Sequence, residues 1–324
     1  MIFSTHPLHP EVTAALQTLG AYRVASAPTP QAIVAECGDA EMIVVRAPIP
    51  VQVIAQMPGL RALVRHGAGL DMVPLPEATA AGVLVCNVPG ANARTVAEHV
   101  IWTALALLRR YPQVNHDLRA HGWTAARAHA DHGREISGRT LGILGMGNIG
   151  KALTGMAMGG FGMTVLSHTR TPSQVPQGVM AVGFDALFEQ SDIVAICAPL
   201  TDQTRGIVDA AALARMRPDA LLINIARGPL VVEAALVDAL SRGALGGAAL
   251  DVFDTQPLPV DHPFFALPNV LLTPHQSGVT EESMLRMGQG VVAEVRRLVA
   301  GGLPENLVNP EAVTLYRQRF PGSC

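Results

Sequence analysis

A chain of 324 residues is long enough for roughly two domains. It is 49% hydrophobic and 15% charged with a net charge of −3, so it can fill a sizeable core and lacks the basic footprint of a nucleic-acid binder. No run reaches the ~18 apolar residues of a membrane helix, and "MIFSTHPLHP" lacks the charged-then-apolar order of a signal peptide, so a cytosolic protein is expected.

In chain order, short β-rich runs alternate with helical patterns. "MIVVRAP" and "RALVRHG" come first, and the second opens a glycine-rich loop, "RHGAGLDMVP", that contains His66, Gly67, Ala68 and Gly69. On residue type alone this loop is a turn between domain elements. "VLVCNVPG" follows, then the helical "AEHVIWTALALLRRY". Between them, Asn87 and Arg94 either approach a ligand or cap that helix, and Glu98 and His99 read as helix start and domain packing. The polar segment ending in "RAHGWTAARAHADHGREISGR" reads as a surface loop entering a second domain. Its histidines His116, His121, His129 and His132 fit no ligand template and no carboxylate pattern supports them, so no metal site is expected.

The strongest local signal is "TLGILGMGNIGKAL". Gly145, Gly147 and Gly150 form G-x-G-x-x-G, with Asn148 and Ile149 inside it, after a β run and at the opening of a helix. The first glycine permits a tight turn, the second lets a pyrophosphate approach the backbone, and the third allows close helix–strand packing. The helix start aims its N–H groups at the phosphates. In this context the turn predicts dinucleotide binding. About twenty residues on, "MTVLSHTRTP" puts Thr169 and Arg170 where an NAD site usually carries an acid. A guanidinium can pair with a 2′-phosphate, which favours NADP over NAD, although Arg170 could also be a solvated loop charge.

"DIVAICAPL" follows, with Asp192 in a structural role and Pro199 and Thr201 on the loop after the strand, where a cofactor is approached. "ALLINIARG" ends at Arg227, a planar fork at the carboxyl end of a strand that suits a carboxylate. "GGAALDVF" contains Asp251, which either contacts the cofactor or caps the next turn, and the following loop holds Asp254 and Gln256. "NVLLTPH" ends at His275, a lone histidine that titrates near ~6.5 when unperturbed. The four cysteines, Cys37, Cys86, Cys197 and Cys324, are widely spaced and read as reduced thiols, with Cys86 and Cys197 as small buried hydrophobes. Continuous apolar strands between helices predict an α/β fold with parallel sheets covered on both faces.

"VCNVPGANARTVAEHV", "TLGILGMGNIG", "DIVAICAPLTDQTRGIVD", "LLINIARGPLVVEAAL", "AALDVFDTQPLP" and "NVLLTPHQSG" stand in the order found in D-isomer-specific 2-hydroxyacid dehydrogenases, and the chain resembles that family over nearly its whole length. The resemblance implies two Rossmann-like domains, each a doubly wound parallel sheet, with the cofactor domain inserted within the substrate domain. The expected limits are 1–98 with 290–324 for the substrate domain and 99–289 for the NAD(P)-binding domain. It further implies a homodimer that interconverts small 2-keto and D-2-hydroxy acids, glyoxylate or hydroxypyruvate among them. By resemblance, Arg227 holds and polarises the substrate, His275 moves the proton, and the loop His66–Gly69 meets the carboxylate through its backbone; His66 and Met72 are candidates for the pocket wall. Asp251 would contact the nicotinamide carboxamide. The family usually pairs the histidine with a glutamate, where this chain has Gln256. The formate dehydrogenase branch shares that glutamine and the "DHP" that follows, so formate oxidation is an alternative expectation. A nucleotide-sensing binding protein without turnover is another.

Overall fold

The computed structural model describes residues 1–322, so Cys324 lies outside the described residues. Two compact units are present: Met1–Asn92 with the segment from Val279 onward, and Ala93–Gly278. The second is thus inserted in the first, as expected. The expected joints at 98/99 and 289/290 fall inside two helices, Ala93–Leu108 and Glu281–Val299. Each helix belongs whole to one unit because its apolar face is committed to one core. Val96, Ala97, Val100, Ala104 and Leu108 pack in the second unit. Val291, Val292, Val295 and Leu298 pack in the first.

The first unit's sheet holds β1 (Ile2–Ser4), β2 (Tyr22–Val24), β3 (Met42–Val45), β4 (Ala62–Arg65) and β5 (Leu84–Cys86), in the order β2-β1-β3-β4-β5. The second unit's sheet holds β6 (Thr140–Leu144), β7 (Thr164–His168), β8 (Met180–Ala181), β9 (Ile193–Ile196), β10 (Leu221–Asn224), β11 (Gly247–Leu250) and β12 (Val270–Leu272), in the order β12-β11-β10-β9-β6-β7-β8. Every ladder between these strands is parallel. Parallel sheets need both faces covered, and each unit has two apolar cores. This is the expected α/β architecture of two Rossmann-like units.

The nine apolar runs read from the sequence are all strands. β1, β2 and β8 were not among them. β1 is buried but only three residues long before "THPLHP", and β2 and β8 lack a continuous buried run. The polar histidine segment departs further from expectation. It is not a loop but two helices, Tyr111–Ala120 and Trp123–Ala130, packed on each other. The first buries no side chain, so it has no apolar stripe by which its period could be read.

Helix Glu281–Val299 starts at a capping box in which the Thr280 hydroxyl accepts from the Ser283 N–H at 3.2 Å and the Ser283 hydroxyl accepts from the Thr280 N–H at 2.9 Å. Its Gly288 lies against Val12, where a β-carbon would collide with the valine side chain. The Cys86 and Cys197 thiols are pushed up by burial, the latter to about 12, which keeps both protonated and inert. Among the described residues, no helix is long and apolar enough to cross a membrane.

Candidate active site

In the second unit, every residue singled out for chemistry or cofactor binding lies at or beyond the carboxyl end of a strand, which is where ligands of open α/β sheets sit. The glycine turn leaves β6. Gly145 has φ +97°, and a β-carbon on it would stand 2.8 Å from the Ala198 backbone. A β-carbon on Gly150 would stand 2.7 Å from the Gly145 carbonyl, so this glycine sets the close packing of helix on strand. Around Gly147 there is open space, and Gly147 is the N-cap of helix Asn148–Phe161. Two glycines locked by contact and one facing open space at a helix start form a cradle that a pyrophosphate fits. Beyond β7, Thr169 is half-buried and Arg170 is exposed, and among the described residues no carboxylate pairs with Arg170. The loop after β9 is held by Thr204, whose hydroxyl donates to the Pro199 carbonyl at 2.8 Å and accepts from the Thr201 N–H at 2.8 Å.

Arg227 follows β10. Asn224, buried at the end of that strand, fixes the segment: its side-chain N–H donates to the Arg227 carbonyl at 2.9 Å and its oxygen accepts from the Ala226 N–H at 3.1 Å. Gly228 lies so close to the Phe253 backbone that no β-carbon fits. The Arg227 guanidinium donates to the Ala226 carbonyl at 2.6 Å. Sequence reading passed over Asn224 and Thr204. A lone amide ending the apolar run "LLIN" is the available signal for the first.

His275 adopts φ +54°, a left-handed backbone uncommon for a residue with a side chain. Asp251, buried beyond β11, builds the turn that carries it. One Asp251 oxygen accepts from the Thr273 hydroxyl at 2.6 Å and the Gln276 N–H at 2.8 Å, and the other accepts from the Ser277 N–H at 2.9 Å. The Asp251 carbonyl accepts from the His275 N–H at 2.9 Å. The turn-capping role left open for this residue is therefore present. His99 extends the network, with Nε2 3.4 Å from the Thr273 hydroxyl. Burial lowers the His99 pKa and the nearby Asp251 opposes that shift.

His275 Nδ1 stands 3.1 Å from Gln256 Oε1, so Nδ1–H donates to the amide, which orients the ring. Asp254 points its backbone N–H to Glu233 at 2.7 Å, and burial together with Glu233 raises its pKa. A cavity of about 540 Å³ beside His275 and Gln256 is lined by Phe253, Pro257, Leu258 and Phe265.

The first unit's loop follows β4. The N–H groups of His66 and Gly67 already donate within the unit, to Val45 at 3.1 Å and Arg65 at 3.0 Å. The carbonyls of Gly67, Ala68 and Gly69 accept from the Val88 N–H, the Asn87 side chain and Arg65 Nε respectively. Among the described residues, no acceptor stands on the N–H of Ala68 or Gly69, so these two are the loop's available donors. His66 is buried, with no hydrogen-bond partner on its Nε2 among the described residues, and burial first, then Arg46, pushes its pKa down to about 4. Met72 packs against the first unit's core. Arg94 forms an exposed ion pair with Glu98 at 3.0 Å. Asp192 accepts from the Thr140 N–H and from Arg217, both at 2.8 Å, and so ties strand ends together.

Residues 101–277 match the family profile of the D-isomer specific 2-hydroxyacid dehydrogenase NAD binding domain. A D-3-phosphoglycerate dehydrogenase of Mycobacterium bovis is 36% identical over 93% of this chain, which spans little more than half (57%) of that relative. A glyoxylate reductase of Korarchaeum cryptofilum is 36% identical over 88% of this chain and 86% of its own length. The structure of an NADPH-dependent glyoxylate/hydroxypyruvate reductase from Sinorhizobium meliloti, in complex with citrate, superposes with a TM-score of 0.85 at 30% identity, covering 96% of this chain and 98% of that one. The glycine cradle, the arginine after β10 and the histidine–amide pair thus stand within a match that spans almost the whole chain, and the chain belongs to the D-isomer specific 2-hydroxyacid dehydrogenase family.

Proposed function

We propose that this chain is a cytosolic, homodimeric reductase of small 2-keto acids such as glyoxylate or hydroxypyruvate, forming the D-2-hydroxy acid and preferring NADPH to NADH. The observation that carries the reading is the His275–Gln256 pair at 3.1 Å, held beyond the same sheet edge as Arg227 and the glycine cradle. NADPH supplies the hydride when bound. The cradle of Gly145, Gly147, Asn148, Ile149 and Gly150 would hold its pyrophosphate, Pro199, Thr201 and Asp251 would border it, and Thr169 and Arg170 would meet the 2′-phosphate. Arg227 would pair with the substrate carboxylate and polarise the 2-keto oxygen. With Nδ1–H committed to Gln256, Nε2 is the His275 nitrogen that would donate a proton to that oxygen and take it back in the reverse direction. The Ala68 and Gly69 N–H groups are proposed as carboxylate donors.

NADPH and NADH consumption across a panel of 2-keto acids, with formate and each oxidised cofactor alongside, tests this. His275→Ala is expected to lose roughly 10²–10⁴-fold in turnover, and Arg170→Ala about tenfold in NADPH preference. Gln256 favours one second reading: turnover on formate alone would make the amide the mark of a reaction that needs no proton donor. Nucleotide binding without turnover on any acid would overturn both readings. Sedimentation of the purified chain checks the dimer.

A further inference from the structure

The histidines of the helical hairpin Tyr111–Ala130 take no part in the proposed reaction. His116 and Asp117 are neighbours on the first helix, and His121 caps its carboxyl end, one turn beyond Asp117. One ligand atom from each of His116, Asp117 and His121 lies within 4.8 Å of the others. His116 Nδ1 is already 2.9 Å from one Asp117 oxygen. A tetrahedral ion with ligands at 2.0–2.2 Å needs neighbouring ligand atoms about 3.4 Å apart. Side-chain rotations of about an ångström reach that spacing, and both histidines are exposed and able to make them. The second Asp117 oxygen is 2.7 Å from Nε2 of His129, on the opposite helix. A histidine hydrogen-bonded to the far oxygen of a ligating carboxylate is a common outer-shell arrangement, because it fixes the carboxylate's orientation.

We propose that His116, Asp117 and His121 form a binding site for a divalent transition-metal ion, Zn²⁺ foremost, with His129 orienting the carboxylate and water completing the coordination. Two imidazoles and one carboxylate suit zinc, nickel or copper and disfavour calcium and magnesium. His129 also lines a cavity with Asp219, Gly246 and Asn269, which stand at the amino ends of β10, β11 and β12. The site is therefore at the sheet edge opposite His275 and Arg227. The ion would pin the carboxyl end of the first helix, with His129 of the second reaching it only through Asp117, and take no part in hydride or proton transfer.

The test uses the full chain after treatment with a chelator. Calorimetric titration with ZnCl₂ is expected to show one saturable equivalent per chain, and CaCl₂ none. Zinc should also slow protease cleavage at the Gly122 turn. His129→Asn should weaken binding roughly tenfold, and His121→Asn and the double variant His116→Ala/His121→Ala should abolish it. His132→Asn, outside the set, should bind as the parent does. Circular dichroism of each variant checks that the exposed substitutions leave the fold intact. Absence of a saturable equivalent overturns the proposal, as does an equivalent that persists in the double variant. A fall in keto-acid turnover after zinc removal would overturn the assignment to the non-catalytic edge, whatever the substrate proves to be.

Discussion

His275 occupies a left-handed backbone at φ +54°, a conformation that costs on the order of 1–3 kcal/mol and persists only where surrounding bonds enforce it. Asp251 enforces it through three side-chain hydrogen bonds and its own carbonyl. Gln256 is neutral, so it gives the imidazolium orientation and no charge, whereas a carboxylate at that position would add one. Gln256→Glu should therefore move the protonation limb of keto-acid reduction upward by about one pH unit; a limb that stays put in the pH–rate profile removes electrostatics from the role of residue 256. His66 makes a different pH statement. Its folded pKa of about 4 lies below the ordinary 6.5 because burial, and then Arg46, disfavour the charged ring. Between those values the unfolded chain binds a proton that the folded chain refuses. The contribution of neutral His66 is therefore complete above pH ~6.5 and is lost as the pH falls toward 4, about 3 kcal/mol in all. Urea unfolding from pH 7 to 4 should show that slope, and His66→Gln should flatten it. An equally steep slope in the variant would assign it to other groups.

At the level of strands and loops, the readable parts were those with a repeating physical cause. "TLGIL" and "LLIN" are apolar throughout because a parallel strand is buried on both faces, and the glycine turn is legible because each glycine answers a separate steric demand. The helices Tyr111–Ala120 and Trp123–Ala130 were illegible as helices because solvent surrounds the first on most sides, and the Asp117 contacts to His116 and His129 arise only when the two helices pack. The loop at His66–Gly69 was legible as glycine-rich, but which of its N–H groups remained available depended on Val45 and Arg65, distant or hidden in sequence terms. Asn224 was missed for the same reason: its two bonds run to a loop that has no period. Asn224→Ala should cost about 1–3 kcal/mol of stability, since it strands the Ala226 N–H and the Arg227 carbonyl. It should raise KM more than it lowers kcat. Equal effects on both would mean that Asn224 supports more than Arg227.

For the molecule as a whole, the two units differ in how the chain supplies them. Ala93–Gly278 is continuous and encloses its own two apolar cores. Expressed alone, residues 93–278 are expected to melt cooperatively and to retain nucleotide binding by calorimetry; a fragment with no thermal transition would show that its cores do not suffice. The first unit, by contrast, is assembled from both ends of the chain, with helix Glu281–Val299 covering Val12 and the adjoining face of its sheet. On the ribosome, that face emerges before its cover, with the whole of Ala93–Gly278 made between them. At roughly 5–20 residues per second, Ile2, Val12 and Leu16 wait on the order of fifteen to sixty seconds for Val291 and Val295. During translation the first unit thus keeps an apolar face bare while the second unit is made, and a chaperone holding that face would bridge the wait.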